Sequence, residues 1–366
     1  MKNKNQMTTR KYSRIGPMML AFLVFTFGSL SLYAQDVEEK TIDKSYLVNA
    51  GVTLHVENER GNVSISTWDK PQIDIMVRVR VKGDDRDFLR KRAKEVKLYF
   101  SHSSDRVEAR TEIGEEGWWS WLWGQESQVE VHYTVFMPVD GNVDIMNDYG
   151  DISIDTLHGR CELNCDYGNV HLGHIQGRTE LNLDYSRPGS TIGYVQSLEM
   201  NVDYSKVTVD SVGRGEVNAD YCIINIGAID RLEYNGDYGH LQVSQAKDIS
   251  ANADYVDLDI GQIYDRFMYK GDYGSVEVQS LMPGFEKLEA KSNYVTINVG
   301  VHPDAAFRIQ GDESYTRLSM DKEIELNEDA GKGISSNFSG FYLHPKAVSL
   351  ISVKMSYGKL KIDISE

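Results

Sequence analysis

Eight aspartates stand immediately before a tyrosine at near-regular intervals: Asp148, Asp166, Asp184, Asp203, Asp220, Asp237, Asp254 and Asp272. Asparagines precede most of them by two positions (Asn164, Asn182, Asn201, Asn218, Asn235, Asn252), and glutamates by four (Glu162, Glu180, Glu199, Glu216, Glu233). Carboxylate and amide oxygens are what Ca²⁺ takes as ligands, six to eight per ion. If the repeats stack, carboxylates about 5 Å apart repel by roughly 1 kcal/mol each in water, so the stack needs compensation. Two sources fit. Ca²⁺ held between repeats by Asp166, Asp184, Asp203, Asp220, Asp237 and Asp254 is one. The other has each Asp accepting backbone N–H groups at a corner, as in an Asx-turn, while the Asn amides bond along the stack. No single repeat supplies six oxygens, which favours the hydrogen-bonded account.

A second chemistry sits in GWWSWLWGQ, residues 117–125, where Trp118, Trp119, Trp121 and Trp123 crowd between two glycines. Indoles offer large apolar area and one N–H donor. They suit either a plug in the first layer of a core or an exposed contact for a glycan, a protein or the lipid interface. Catalytic patterns are missing: there is no G-x-S-x-G, no phosphate-cradling glycine loop and no H-E-x-x-H, and the nine histidines form no ligand pattern beyond His171 and His174. Carboxylates abound, as in polysaccharide-cleaving enzymes, but acid–base catalysis needs groups driven into different environments. A ladder of equivalent carboxylates is the opposite, and a non-enzymatic protein is expected.

The elements that position these residues come from the repeat itself. Asp-Tyr and its variants end in Tyr149, Tyr167, Tyr185, Tyr204, Tyr221, Tyr238, Tyr255, Tyr273, Tyr294, Tyr315 and Tyr357, at spacings of 17 to 21 residues before one gap of 42. Asn337-Phe338 is the candidate to fill that gap. In ELNCDYGNVHL, Leu163, Cys165 and Tyr167 share one face of a strand, opposite Glu162, Asn164 and Asp166. After the tyrosine the phase slips by one, so that Val170 and Leu172 resume the apolar face, as at a bend or bulge. Gly150, Gly168, Ser186, Ser205, Cys222, Gly239 and Gly274 fill the next slot with small side chains suited to a corner.

Two short strands and two corners per repeat cannot bury their own apolar face, whereas stacked repeats can. The expected fold is therefore all-β: a single-stranded β-solenoid of about ten coils, with Tyr149 to Tyr273 as structural positions. Residues 35–140 are expected to form a β-rich N-terminal cap with one short helix in DDRDFLRKRAKEV, and ENERGNVSI imitates the repeat with Arg60 in the tyrosine slot. The solenoid proper is expected over 141–320 and an irregular cap over 321–366.

Residues 1–34 have the form of a secretory signal: Lys2, Lys4, Arg10, Lys11 and Arg14, then an apolar stretch, then Ala34 before Gln35. Their removal leaves a chain more negative by five than the −16 of the full sequence. Such acidity repels phosphate backbones and anionic lipid. The expected partners are accordingly an envelope protein or a glycan rather than nucleic acid, with membrane contact only through the Trp loop. No cofactor is expected apart from the Ca²⁺ weighed above. Cys161, Cys165 and Cys222 are too far apart in a stacked arrangement to pair, and three free thiols are expected.

An N-terminal strand pair with GNVSI, a helix-bearing insertion, a VFMPV strand leading into NDYGDISI, and many G-x-V-x-V-like rungs together resemble the bacterial putative-adhesin family of β-strand-repeat proteins. The likeness covers about residues 45–320, and the leader ending in A-Q-D is similar to those of Bacteroidetes exports. The resemblance implies an extracytoplasmic β-helix in the periplasm or at the cell surface, acting as a binding or scaffolding module. It brings no catalytic residues. An envelope-stress sensor working through a membrane partner, and a polysaccharide-active enzyme, are the alternative expectations.

Overall fold

Alternating buried and exposed residues build nearly every element of the computed structural model, which describes residues 36–114, 128–186, 189–327 and 335–364. Cys161–Asp166 shows the rule: Cys161, Leu163 and Cys165 are buried while Asp166 is exposed. The described residues are all-β apart from one helix, Arg86–Glu95, and their strands join into one large, mostly parallel sheet. The helix begins at Asp85, whose carboxylate accepts the N–H groups of Asp87 and Phe88 and so satisfies donors that a first helical turn leaves free. Leu89 is its buried anchor.

Parallel pairing holds like residues over like. Leu163 pairs with Leu181, Asn164 with Asn182 and Asp166 with Asp184. The register continues from Asp184 to Asp203, then to Asp220 and Asp237. The second half of each repeat does the same, with Ile175 beside Val195 and Val195 beside Val212. Backbone N–H and C=O groups of the paired strands thus find partners in the adjacent repeats, and the inward residues form one continuous core from Val48 to Ile362.

The tyrosines correct the expectation about faces. Tyr167 was placed with Leu163 and Cys165 on the apolar side, yet Tyr149 to Tyr273 are all 40 to 55% exposed. The one-residue slip occurs at the tyrosine itself, not after it. Ten of the eleven repeat tyrosines take φ between 50° and 59°, the left-handed region, so Asp and Tyr both face outward before the small residue turns in. Tyr149 is the exception, and there Gly150 carries the positive φ. Ser186, Cys222 and Ser205 accordingly lie buried in the slot after Tyr.

Both ends of the parallel stack are closed by strands. Thr53–Arg60 pairs in register with Asn142–Tyr149, which makes it the rung before the first tyrosine. On its other side lies Arg106–Ile113, and Val63–Trp68 likewise meets Gln128–Pro138. Gln72–Gly83 then runs antiparallel to Gln128–Pro138, and Asp36–Leu47 antiparallel to Gln72–Gly83. Asp36–Leu47 (DVEEKTIDKSYL) is rich in charge, which discourages pairing with another chain at a sheet edge.

At the other end the order of rungs departs from the order of the sequence. Leu350–Ser356 pairs on one side with Lys287–Val301 and on the other with Phe307–Ser314. Lys359–Ile364 is placed in the same way, between Lys287–Val301 and Arg317–Met320. Residues 350–364 therefore form a regular rung, in keeping with Tyr357 in the tyrosine series, but one inserted out of chain order between two earlier ones within the expected cap of 321–366. Asn337-Phe338 does not complete the tyrosine series. Phe338 is buried in Ser335–Tyr342, a strand antiparallel to Phe307–Ser314, where it covers the space left by Gly311.

Candidate functional site

The outward Asp-Tyr positions form a single face whose geometry follows from the left-handed tyrosines. In that conformation the Tyr167 N–H points along the stack and donates to the Asp184 carbonyl at 3.0 Å, and Tyr185, Tyr204 and Tyr221 repeat the bond to the next rung. The rings then lie face to face. Ten contacts with centroids 4.7 to 5.2 Å apart and planes within 11° link eleven rings from Tyr149 to Tyr294, then Tyr357, then Tyr315. The Arg60 guanidinium lies 5.7 Å from the Tyr149 ring and ends the column. A left-handed residue other than glycine costs about 1–2 kcal/mol, and an aromatic pair returns about 0.5–1.5 kcal/mol. Strain and stacking are of one order, so the backbone bonds between rungs are needed as well.

Beside the rings runs the asparagine ladder anticipated from sequence. Asn182 donates to Asn164 at 2.7 Å, Asn201 to Asn182 at 2.9 Å, Asn218 to Asn201 at 2.9 Å and Asn235 to Asn218 at 3.2 Å. The aspartates also accept backbone N–H groups, but across rungs and not within a local Asx-turn. Asp220 accepts from Asp237 at 3.1 Å, Asp254 from Asp272 at 2.7 Å, and Asp272 from Asn293 at 2.9 Å. A groove of about 480 Å³ follows these ladders, lined by Asn182, Asp184, Asn201, Asp203, Asn218 and Asp220 among others. Among the described residues, no group of three or more His, Cys, Asp or Glu side chains is arranged to hold a metal ion. On the hydrogen-bonded account of the ladder, melting in Ca²⁺ is expected to match melting in chelator. A rise in midpoint with Ca²⁺ that the chelator reverses would restore the ion.

Partial burial and then the flanking Asp166 and Asp203 carboxylates push the Asp184 pKa up, against one N–H bond from Asp203. Burial followed by Asp166 does the same to Asp148. A carboxyl whose folded pKa exceeds its unfolded value, about 3.9 for Asp, costs stability as pH rises through that interval. Asp184→Asn is therefore expected to raise the melting midpoint at pH 7, with the gain vanishing below about pH 4. Melting both proteins across that range checks it, and equal midpoints at pH 7 would contradict it. Glu289 behaves oppositely: hydrogen bonds from Lys287 and Lys291 hold it at about 2. Only the difference between variant and parent isolates the ladder.

The remaining sequence candidates divide. Trp118, Trp119, Trp121 and Trp123 lie outside the described residues. Cys161, Cys165 and Cys222 are free and buried, as expected. Burial pushes the Cys165 thiol up to about 12 and Cys222 up to about 11, which suppresses the nucleophilic thiolate. Cys165 occupies the inward column that continues through Leu183, Val202 and Ala219. Two features escaped the sequence reading. His174 stacks on Tyr194 at 4.7 Å, a pairing hidden because the longer stretch after Tyr185 sets His171 opposite Thr191. Tyr234 and Tyr269 point into the core beside Gly236 and Gly271, where a Cβ would meet their hydroxyls within 2.8 Å. The shared pattern Tyr-x-Gly-Asp-Tyr was the available signal.

No family model matches the chain, and no curated relative matches it. Solved structures are similar over most of their length, three of them as follows. One, described as a putative adhesin from Bacteroides fragilis, is 9% identical, with 88% of this chain and 97% of that one covered at a TM-score of 0.31. A putative adhesin from Parabacteroides merdae is 7% identical, with coverage of 88% and 96% and a TM-score of 0.32. A protein from Parabacteroides distasonis described as a putative lipid binding protein is 9% identical, with coverage of 88% and 96% and a TM-score of 0.30. At such overlap and identity none of them assigns a role to this chain.

Proposed function

We propose that the parallel stack is a β-solenoid of about ten turns, exported by residues 1–34 to the periplasm or cell surface. There it serves as a non-enzymatic, adhesin-like binding or scaffolding module of the envelope. The observation that carries this reading is the unbroken eleven-ring column from Tyr149 to Tyr315, which holds hydroxyls, carboxylates and amides at one fixed repeat along an exposed face. A rigid periodic polar face loses little entropy on binding. Acid–base catalysis needs carboxyls driven apart, whereas burial and a like-charged neighbour shift Asp148 and Asp184 in the same direction. No described helix is long and apolar enough to cross a membrane.

Affinity capture from envelope extract tests the proposal, with the intact mature chain compared with a variant in which Trp118, Trp119, Trp121 and Trp123 are Ala. The expected result is specific capture of an envelope protein or glycan by the intact chain. Loss in the variant assigns the contact to residues 117–125, and equal capture assigns it elsewhere on the protein. Failure of the intact chain to retain any component overturns the reading. So does release of reducing ends or unsaturated uronate from a polysaccharide, which would make the protein an enzyme.

A further inference from the structure

The rings of the long tyrosine column cover one another's faces, so the column offers solvent only edges and hydroxyls. Tyr194 differs. One face of its ring stacks on His174 at 4.7 Å with planes 20° apart, and its other face looks toward the next rung, where the register places Ser211 and then Ala228. Those small residues interrupt the stack and open a hollow of about 370 Å³. Tyr194 stands on one side of it and Tyr264 on the other, with Ser211, Gly213, Ala228 and Ala246 lining it between them. Four rung steps separate the two tyrosines, roughly 19 Å at ~4.8 Å per step. A second hollow of about 520 Å³ adjoins, sharing Tyr194, Gly213, Asp230 and Lys247.

From this arrangement we infer that the hollow is a subsite for a neutral hexopyranose polymer, with one sugar ring lying on the open face of Tyr194. An aromatic face beside hydrogen-bonding side chains suits a pyranose, which presents an apolar C–H face and a rim of hydroxyls. Gln196 and Gln245 supply amides at the rim. In the first hollow the two charges neutralise one another, Lys247 binding Asp230 at 2.7 Å; in the second, Asp248 binds Arg266 at 2.9 Å and Arg231 at 3.5 Å, and Arg214 stands beside them. With Asp230 and Lys247, the charges of the first hollow, paired, and on a chain of formal charge −16, that hollow favours an uncharged sugar over a uronate or sulfated one.

The inference rests on the binding role proposed above, and its test separates the two. Cellotriose, maltotriose, mannotriose, chitotriose and, as the anionic control, trigalacturonate are titrated into the mature chain by calorimetry and by saturation-transfer NMR. At least one neutral trisaccharide is expected to bind, and trigalacturonate is not. Tyr194→Ala is expected to weaken that binding at least ten-fold. Ser211→Tyr, which would cover the open face with another ring while removing no polar group from Tyr194, is expected to weaken it equally, and circular dichroism confirms that both variants stay folded. No neutral trisaccharide binding, or binding unchanged in both variants, overturns the subsite. If envelope capture by the intact chain persists in that case, only the subsite falls; if capture also fails, the binding role falls with it.

Discussion

Deleting residues 349–366 is expected to unfold the C-terminal end of the stack and not merely to trim it. Ile351, Val353, Met355, Leu360 and Ile362 are all buried in the inserted rung. At about 1.5–3 kcal/mol per large apolar side chain, their burial contributes on the order of 10 kcal/mol, comparable with the whole stability of an ordinary domain. The rung also supplies backbone partners on both sides: Leu350 donates to Glu286, Arg308 to Ser349 and Arg317 to Gly358. Without it, Phe307–Met320 loses its only parallel neighbours among the described strands. Hydrogen exchange followed by mass spectrometry should show full loss of protection over 307–342 and retained protection over 161–260. A point variant, Ile362→Asp, should reproduce the pattern by burying a charge. Protection unchanged over 307–342 in the truncated chain would mean that the inserted rung does not hold this end together.

The second large effect is expected from one methyl group. A Cβ at Gly271 would lie 1.9 Å from the Ala253 carbonyl oxygen and 2.8 Å from the Tyr269 hydroxyl. The first contact is with the backbone of the adjacent rung, so no side-chain rotation relieves it. Overpacking of this kind costs about 3 kcal/mol, and Gly271→Ala is expected to lower stability by that amount in urea denaturation. Gly284, with nothing within 4 Å of its Cβ position, serves as contrast even though its φ of +86° is itself unfavourable to Ala. A Gly271→Ala loss no larger than that of Gly284→Ala would refute the close packing of Gly271 on the rung beneath.

Much of this architecture was legible in the sequence because a repeat that stacks must place equivalent residues over one another. The tyrosine spacing gave the parallel register, the Asn-x-Asp-Tyr phrase gave the polar ladders, and Arg60 in the tyrosine slot marked a strand in register with the first tyrosine rung. The alternation of Leu163, Cys165, Val170 and Leu172 marked the core. The direction of Tyr167 was misread because alternation assumes extended backbone on both sides. A left-handed residue breaks that assumption, and a residue type that disfavours the conformation gives no local sign of adopting it.

What the sequence determined by itself was therefore the periodic part: all-β character, like residues in line, buried free thiols and the amide ladder. Each of these depends on residue types alternating along a strand or recurring at a near-regular separation. Three matters needed the tertiary structure. The 350–364 segment enters between rungs that precede it, because pairing chooses the best available edge and ignores chain order. Gly271 and Tyr269 fit one another only through the rung beneath them. Tyr194 has an open face only because unequal repeat lengths bring His174 to one side of it and Ser211 to the other.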